Sequence, residues 1–130
     1  MIPYGRQKIT EEDIREVEKV LRSDYLTQGP TVPRFEKSVA RYCNVAHTVA
    51  VNSATSALHI SCLALDLGPG DWLWTSANTF VASSNCALYC GAKINFIDIN
   101  PDTGLLDENL LEEKLKIASK NDSLPKIIIP

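Results

Sequence analysis

Several things are missing from this sequence, and each absence removes a class of function. No apolar run approaches the roughly 20 residues of a bilayer span, so nothing in the sequence reads as a helical membrane anchor. No block of like charge stands out, and acids and bases interleave to a formal net charge of -3. That balance offers no tether for nucleic acid or for an anionic membrane surface. No Gly-x-Gly-x-x-Gly follows a strand, and no Walker lysine follows a glycine-rich turn, which argues against a dinucleotide fold and against a P-loop. The opening Met1-Ile2-Pro3-Tyr4-Gly5-Arg6 lacks the basic start and apolar core of a secretory signal, so a cytoplasmic address is expected. The four cysteines, Cys43, Cys62, Cys86 and Cys90, form no metal pattern. Cys86 and Cys90 fit one helix face, but no histidine or second cysteine pair joins them at zinc spacing. They read as buried thiols in a reducing compartment.

What is present is enough apolar residue, 45% of 130, for the core of one compact domain. Thr10-Glu11-Glu12-Asp13 predicts a helix start, with a threonine cap and acids at the positive end of the dipole. Ile14, Val17, Val20 and Leu21 continue that helix to about Ser23 at amphipathic spacing. Asp24 to Pro30 reads as a loop, and a second helix is expected from about Pro33 to Cys43. The pattern then alternates. Strands are expected at His47–Val51, Trp72–Thr75, Lys93–Ile99 and Lys126–Ile129, with helices at Ala54–Asp66, Thr79–Cys90 and from an Asp107 cap onward. Gly68 and Gly91 read as the terminators of the first two of these helices. Strands separated by helices imply βαβ crossovers, hence an α/β fold with a mostly parallel sheet covered on both faces. The apolar strand Lys126-Ile127-Ile128-Ile129-Pro130 is followed by nothing, although α/β proteins place ligands beyond such strand ends. The chain therefore reads as a fragment.

Two strand-to-helix turns invite chemistry. Val49 to Ala57 passes through Asn52-Ser53-Ala54-Thr55-Ser56, which points free amides and a positive dipole end outward. Ser53, Thr55 and Ser56 add hydroxyls, so a phosphate fits there without a cationic side chain; the alternative is plain helix capping. Ser76-Ala77-Asn78-Thr79-Phe80 sets an aromatic beside a strand end, either to stack on a flat heterocycle or to fill the core. His47 and His59 read as structural.

In order along the chain, Ile2 to Ile9, Ser23-Asp24-Tyr25-Leu26-Thr27-Gln28-Gly29-Pro30, Asn52 to Leu58, Asn78 to Ser83 and Gly91 to Ile99 resemble the DegT/StrS-type sugar aminotransferases. These are fold-type I pyridoxal-phosphate enzymes, and the branch acting in pseudaminic acid biosynthesis is the nearest. The resemblance implies N-terminal helices plus the first part of the large cofactor-binding domain, so that residues 1–130 are one incomplete domain. It implies that Ser53, Ala54 and Thr55 hold the phosphate of pyridoxal 5'-phosphate and that Phe80 stacks on its ring. It also implies that Tyr4, Asp24, Tyr25, Leu26 and Thr27 contact the sugar nucleotide; a packing anchor and a surface connection are the plainer alternatives. The wider family usually has glycine where this chain has Ala54, and the pseudaminic branch is similar to this chain in having alanine.

By the same resemblance, the intact enzyme moves an amino group from glutamate to carbon 4 of a UDP-linked 4-keto-6-deoxy-N-acetylhexosamine, as a homodimer. Such chemistry requires a Schiff-base lysine. Lys8, Lys19, Lys37, Lys114, Lys116 and Lys120 read as solvated charges, while Lys93 and Lys126 open strands at the end away from the expected site. No catalytic residue is assigned, and Asp98 is not taken as the acid beside the ring nitrogen. The fragment is expected to be inactive alone. A different nucleotide-sugar aminotransferase and a short non-catalytic binding module remain the competing readings.

Overall fold

The computed structural model describes residues 5–130 and divides into two compact units, one ending at Ala50 and the other spanning Val51–Pro130. The first unit holds α1 (Glu11–Leu21) and α2 (Thr31–Cys43). Thr10 and Asp13 form a reciprocal capping box: the Thr10 amide donates to Asp13 Oδ2 at 2.7 Å and the Asp13 amide to Thr10 Oγ1 at 3.3 Å. The Thr10 amide, and after it the Thr10 hydroxyl, hold the Asp13 carboxyl below its ordinary range. Helix α2 starts two residues before the expected Pro33. Proline is tolerated there because first-turn amides have no intrahelical acceptor to lose. It ends on Asn44, left-handed at φ 52°.

The strand expected at His47–Val51 does not form. Its β-branched composition is right, but strand propensity reflects fit to a paired surface and not a backbone preference alone. Here the Ala50 amide donates to Glu36 Oε1 at 2.8 Å, and Thr48 Oγ1 to the Glu36 carbonyl at 2.6 Å. One acidic side chain replaces a ladder.

In the second unit the order is α3 (Ala54–Ala64), β1 (Trp72–Ser76), α4 (Ala82–Tyr89), β2 (Lys93–Ile97), α5 (Glu108–Lys120) and β3 (Ile127–Ile129). The strands form a parallel sheet ordered β2-β1-β3, with Leu73 opposite both Ile94 and Ile127. Alternation along β1 sends Leu73 to one face and Trp74 to the other. Leu73 packs with Cys62, Leu67, Cys86, Ala87 and Ala92, on the α3 and α4 side. Trp74 packs with Ile97, Ala118, Leu111 and Leu115, on the α5 side. Both faces are covered, as the alternating pattern requires.

Direction within this unit comes from one polar node. Lys126, just before β3, donates from Nζ to the Asp66 carbonyl at 2.6 Å and to Asp71 Oδ2 at 3.0 Å. Asp71 Oδ2 also accepts the Gly68 amide at 2.9 Å, and the Asp71 carbonyl accepts the Lys93 amide at 2.9 Å. The end of α3 and the starts of all three strands therefore meet at the amino edge of the sheet. Gly91, after α4, lies against Pro69 in the same loop. Both α3 and α4 thus run back against the strands. An 11-residue helix and a five-residue strand each span about 16 Å, so the start of α3 comes level with the carboxyl end of β1.

Several boundaries shift from expectation. Helix α3 ends at Ala64, short of the expected Asp66, and the closing left-handed residue is Asp66 at φ 54° and not Gly68: the Asp66 amide donates to the Leu63 carbonyl and the Leu67 amide to the Cys62 carbonyl, each at 3.0 Å. Strand β2 stops at Ile97, and Ile99 forms an antiparallel bridge to Leu106 across a tight turn. Lys114 is not a solvated charge: its Nζ donates to Asn95 Oδ1 and the Phe96 carbonyl and sits 5.6 Å from the Trp74 ring centre. Buried thiols are found at Cys62 and Cys86, whereas Cys43 is exposed at the end of α2, a helix with no fully buried residue.

Burial first, and then the neighbouring Cys86 thiol, push the Cys62 thiol up to about 12. Iodoacetamide at pH 8 is therefore expected to leave Cys62 unmodified in the native protein and to label it in denaturant; native labelling, read by peptide mass, would contradict this packing. The Lys126 ammonium, and after it the Gly68 amide, hold the Asp71 carboxyl below its ordinary range. A depressed carboxyl contributes stability above its unfolded pKa, about 3.9, and loses it as pH falls through the lower folded value. Asp71→Asn is expected to lower the melting temperature by a few degrees at neutral pH. The gap to the unsubstituted protein should close below about pH 3; a gap independent of pH would rule out the ionised node.

Candidate functional site

The carboxyl edge of the sheet in the second unit carries two of the sequence-predicted features together. The first is the start of α3. Ser53 is extended at φ -159° and ψ 155°, and its Oγ accepts the Ser56 amide at 3.1 Å, which is the capping function expected of serine. Ser56 Oγ donates to Asn52 Oδ1 at 2.9 Å and lies 2.9 Å from Ser53 Oγ. With the Ser56 proton given to Asn52, Ser53 is the donor in the serine pair. Both serine protons are thus engaged within the turn. The amides of Ala54 and Thr55 have no acceptor among the described residues, nor has the Thr55 hydroxyl. Three uncommitted donors at the positive end of an 11-residue helix make a receptor for an anion.

The second feature is Phe80. It does not lie inside a helix, since α4 begins only at Ala82. It sits in the turn that leaves β1, where the Asn78 amide donates to Ser76 Oγ at 3.2 Å and the Ser83 amide to the Phe80 carbonyl at 3.0 Å. The Thr79 and Ser83 hydroxyls pair at 3.0 Å. The backbone on both sides of Phe80 is fixed while its side chain stays 73% exposed. This is not a core phenylalanine of the unit. A planar apolar surface presented on a pinned turn at a parallel sheet's carboxyl edge suits stacking against a flat heterocycle.

The remaining expected residues fall elsewhere. Asp24, Tyr25, Leu26 and Thr27 form the exposed connection between α1 and α2 in the first unit, with Tyr25 63% and Leu26 66% exposed. Tyr25 borders a cleft of about 400 Å³ whose other walls include Lys19, Thr31 and Arg34. Tyr4 lies outside the described residues. Asp98 is exposed, and its Oδ1 accepts the Ile99 amide, so it serves the turn after β2. His59 meets the Tyr89 ring edge-on at 5.3 Å.

No lysine of the second unit lies in the Asn52–Ser56 turn or the Ser76–Phe80 turn. Lys93 opens β2, Lys126 belongs to the amino-edge node, Lys114 is tied to Asn95, and Lys116 and Lys120 lie on α5. Sequence reasoning did not assign Asn52, which takes the Ser56 proton, or the Thr79–Ser83 pair that fixes the Phe80 turn. Their signal was present: short hydroxyl and amide side chains flanking a helix start commonly bond backward into it.

The model of the DegT/DnrJ/EryC1/StrS aminotransferase family matches residues 7–130. A UDP-4-amino-4,6-dideoxy-N-acetyl-beta-L-altrosamine transaminase of Campylobacter jejuni is 42% identical over 121 residues, 93% of this chain and 32% of its own length. A spore coat polysaccharide biosynthesis protein of Bacillus subtilis is 40% identical, over 92% of this chain and 31% of its own. Among solved structures, a candidate sugar aminotransferase from Streptococcus pneumoniae in its PLP form superposes with a TM-score of 0.82 and 38% identity, over 86% of this chain and 29% of that one. A Helicobacter pylori aminotransferase involved in the biosynthesis of pseudoaminic acid gives a TM-score of 0.85 and 31% identity, over 97% of this chain and 33% of that one. The chain spans about a third of the length of the curated relatives it matches.

The capping role of Ser53 is testable by itself. Ser53→Ala removes the acceptor for the Ser56 amide and is expected to cost about 1 kcal/mol in chemical denaturation. An unchanged stability would mean that the turn is not set by this hydroxyl.

Proposed function

Since this chain belongs to the DegT/DnrJ/EryC1/StrS aminotransferase family, we propose that it forms the N-terminal part of a pyridoxal-phosphate-dependent enzyme that aminates carbon 4 of a UDP-linked 4-keto-6-deoxy-N-acetylhexosamine. On this reading residues 1–130 are an opening segment and the first part of the large cofactor-binding domain. The observation that carries the proposal is the start of α3, where the amides of Ala54 and Thr55 stand without acceptors at the sheet's carboxyl edge.

The donor set fits the group. A phosphate dianion needs several donors in one concave place, and Ala54 N–H, Thr55 N–H and the Thr55 hydroxyl supply them beside a dipole of the right sign. Ser53 fixes the turn through Ser56 and adds its own backbone to the cradle. Phe80, exposed on its pinned turn, supplies the face for the pyridine ring. When bound, pyridoxal phosphate provides the electron sink that makes amino-group transfer feasible. The part of this chain is to hold and orient that sink. The phosphate fixes one end of the flat ring, and the aromatic face restricts its tilt, so reacting atoms elsewhere meet it in a defined geometry. The lysine and the acid that complete the chemistry are placed in the part of the protein outside these residues.

Asp24, Tyr25, Leu26 and Thr27, with Tyr4, are proposed as sugar-nucleotide contacts, glutamate as the amino donor and a homodimer as the working assembly. The similarity to the Campylobacter jejuni transaminase supports the carbon-4 acceptor, and that to the Helicobacter pylori aminotransferase supports a place in pseudaminic acid biosynthesis. The Bacillus subtilis protein is nearly as similar and carries a different description, so a second nucleotide-sugar acceptor within the same family is the alternative.

The cofactor assignment is tested in the complete protein by Thr55→Val, which keeps shape and removes one hydroxyl. Losing a hydrogen bond to a charged partner, about 1.5 kcal/mol, is expected to raise the Kd for pyridoxal phosphate roughly tenfold, read by cofactor absorbance. Equal Kd values would move the phosphate away from α3. Turnover of UDP-, dTDP- and GDP-linked 4-keto sugars by the same protein checks the acceptor. The UDP sugar is expected to lead, and a strong preference for either rival would favour the alternative.

A further inference from the structure

The connection between α1 and α2 is held by three unusual local features, and none of them is a side chain placed in the site above. Gly29 lies so close to Tyr25 that a Cβ added there would stand 2.9 Å from Tyr25 Cβ and 3.2 Å from the Tyr25 carbonyl oxygen. Real Cβ atoms do not approach backbone and Cβ that closely, so any larger residue would have to push Tyr25 away. Gln28 is left-handed at φ 53°, an uncommon conformation for a residue with a side chain. Ser23 Oγ lies 2.7 Å from the Val20 carbonyl and 3.1 Å from the Tyr25 carbonyl, and it is 3.4 Å from the Tyr25 amide. The hydroxyl therefore joins the last turn of α1 to the backbone of Tyr25.

These contacts fold the connection back on itself, with Gly29 and Ser23 both set against the Tyr25 backbone. Tyr25 and Leu26 then face outward, both more than 60% exposed, on a backbone fixed at each end by a helix. An exposed aromatic and an exposed leucine gain nothing for the folding of this connection, so its backbone constraints serve presentation.

We propose that Gly29 and Ser23 are positioning residues for the acceptor sugar nucleotide: the close approach of Gly29 to Tyr25, together with the Ser23 bridge, sets how Tyr25 and its neighbours are offered to that substrate. The proposal rests on the reading that Asp24 to Thr27 contact the sugar nucleotide. It goes beyond that reading by assigning the determinant of acceptor binding to residues that touch no substrate. On this proposal the cofactor and the amino donor do not depend on the connection.

The test uses the complete enzyme and follows its two half-reactions separately, glutamate alone by cofactor absorbance and the UDP-4-keto sugar by product formation. Gly29→Ala is expected to raise KM for the UDP sugar about tenfold, because displacing a positioned contact weakens binding without touching the remaining chemistry. The rate with glutamate should stay within about twofold. Ser23→Ala is expected to act in the same direction, and Ser23→Thr, which keeps the hydroxyl, to restore the original KM. Tyr25→Ala is the reference. If Tyr25→Ala raises KM while Gly29→Ala and Ser23→Ala do not, the contact reading stands and the positioning role is overturned. If Tyr25→Ala leaves KM unchanged, the contact reading fails and takes the proposal with it. Equal loss in both half-reactions for Gly29→Ala, or a Ser23→Thr variant as impaired as Ser23→Ala, would show a general folding defect and also overturn it.

Discussion

The carboxylate of Asp71 and the ammonium of Lys126 meet at the amino edge of the parallel sheet, and the layout of the second unit depends on that meeting. Asp71 also takes the Gly68 amide, its carbonyl takes the Lys93 amide, and Lys126 reaches the last residues of the α3 turn. A parallel sheet needs every crossover to return to the same edge. Here the returning segments are tied to each other by polar bonds while the apolar layers form above and below. With the returns gathered at one edge, the starts of α3 and α4 emerge at the other. The free donors at the start of α3 are, in this sense, a product of the opposite edge of the sheet.

The chemistry gathered at the carboxyl edge is of an economical kind. The amides of Ala54 and Thr55 are available because a helix cannot satisfy its own first turn, and Ser53 and Ser56 spend their protons on fixing that turn. Phe80 is available because the hydroxyls of Thr79 and Ser83 hold the chain that carries it. In both places the free group depends on neighbours whose own polar groups are engaged with each other. Family membership and the similarity to an aminotransferase solved in its PLP form indicate pyridoxal phosphate as the cofactor.

Much of this was legible in the sequence. The Thr10 and Asp107 caps, the alternation of strands with helices, and the small-residue turn at Ser53-Ala54-Thr55 each follow from local rules, and the structure places them as read. What was not legible depended on distant partners. His47 to Val51 has the composition of a strand but meets Glu36 where a strand would meet a ladder. Lys114 has the surroundings of a surface charge in sequence, yet α5 brings it over Trp74 and onto Asn95. Lys126 only opens a strand in sequence, yet it reaches back sixty positions to the Asp66 carbonyl. Residues 5–50 and 51–130 also separate into two compact units, which no break in composition announces.

The donors at the start of α3 are backbone amides and one hydroxyl, and none of them titrates in the range where proteins work. A lysine or arginine in that place would release counterions and lose grip as ionic strength rises. Aligned peptide dipoles carry no net charge to screen at long range, and their orientation is fixed by the helix itself. Protonation at such a cradle is then governed by the phosphate alone, whose second ionisation lies near a pKa of about 6. Two of the three free donors, the Ala54 and Thr55 amides, belong to the main chain, where a change of side chain does not remove them.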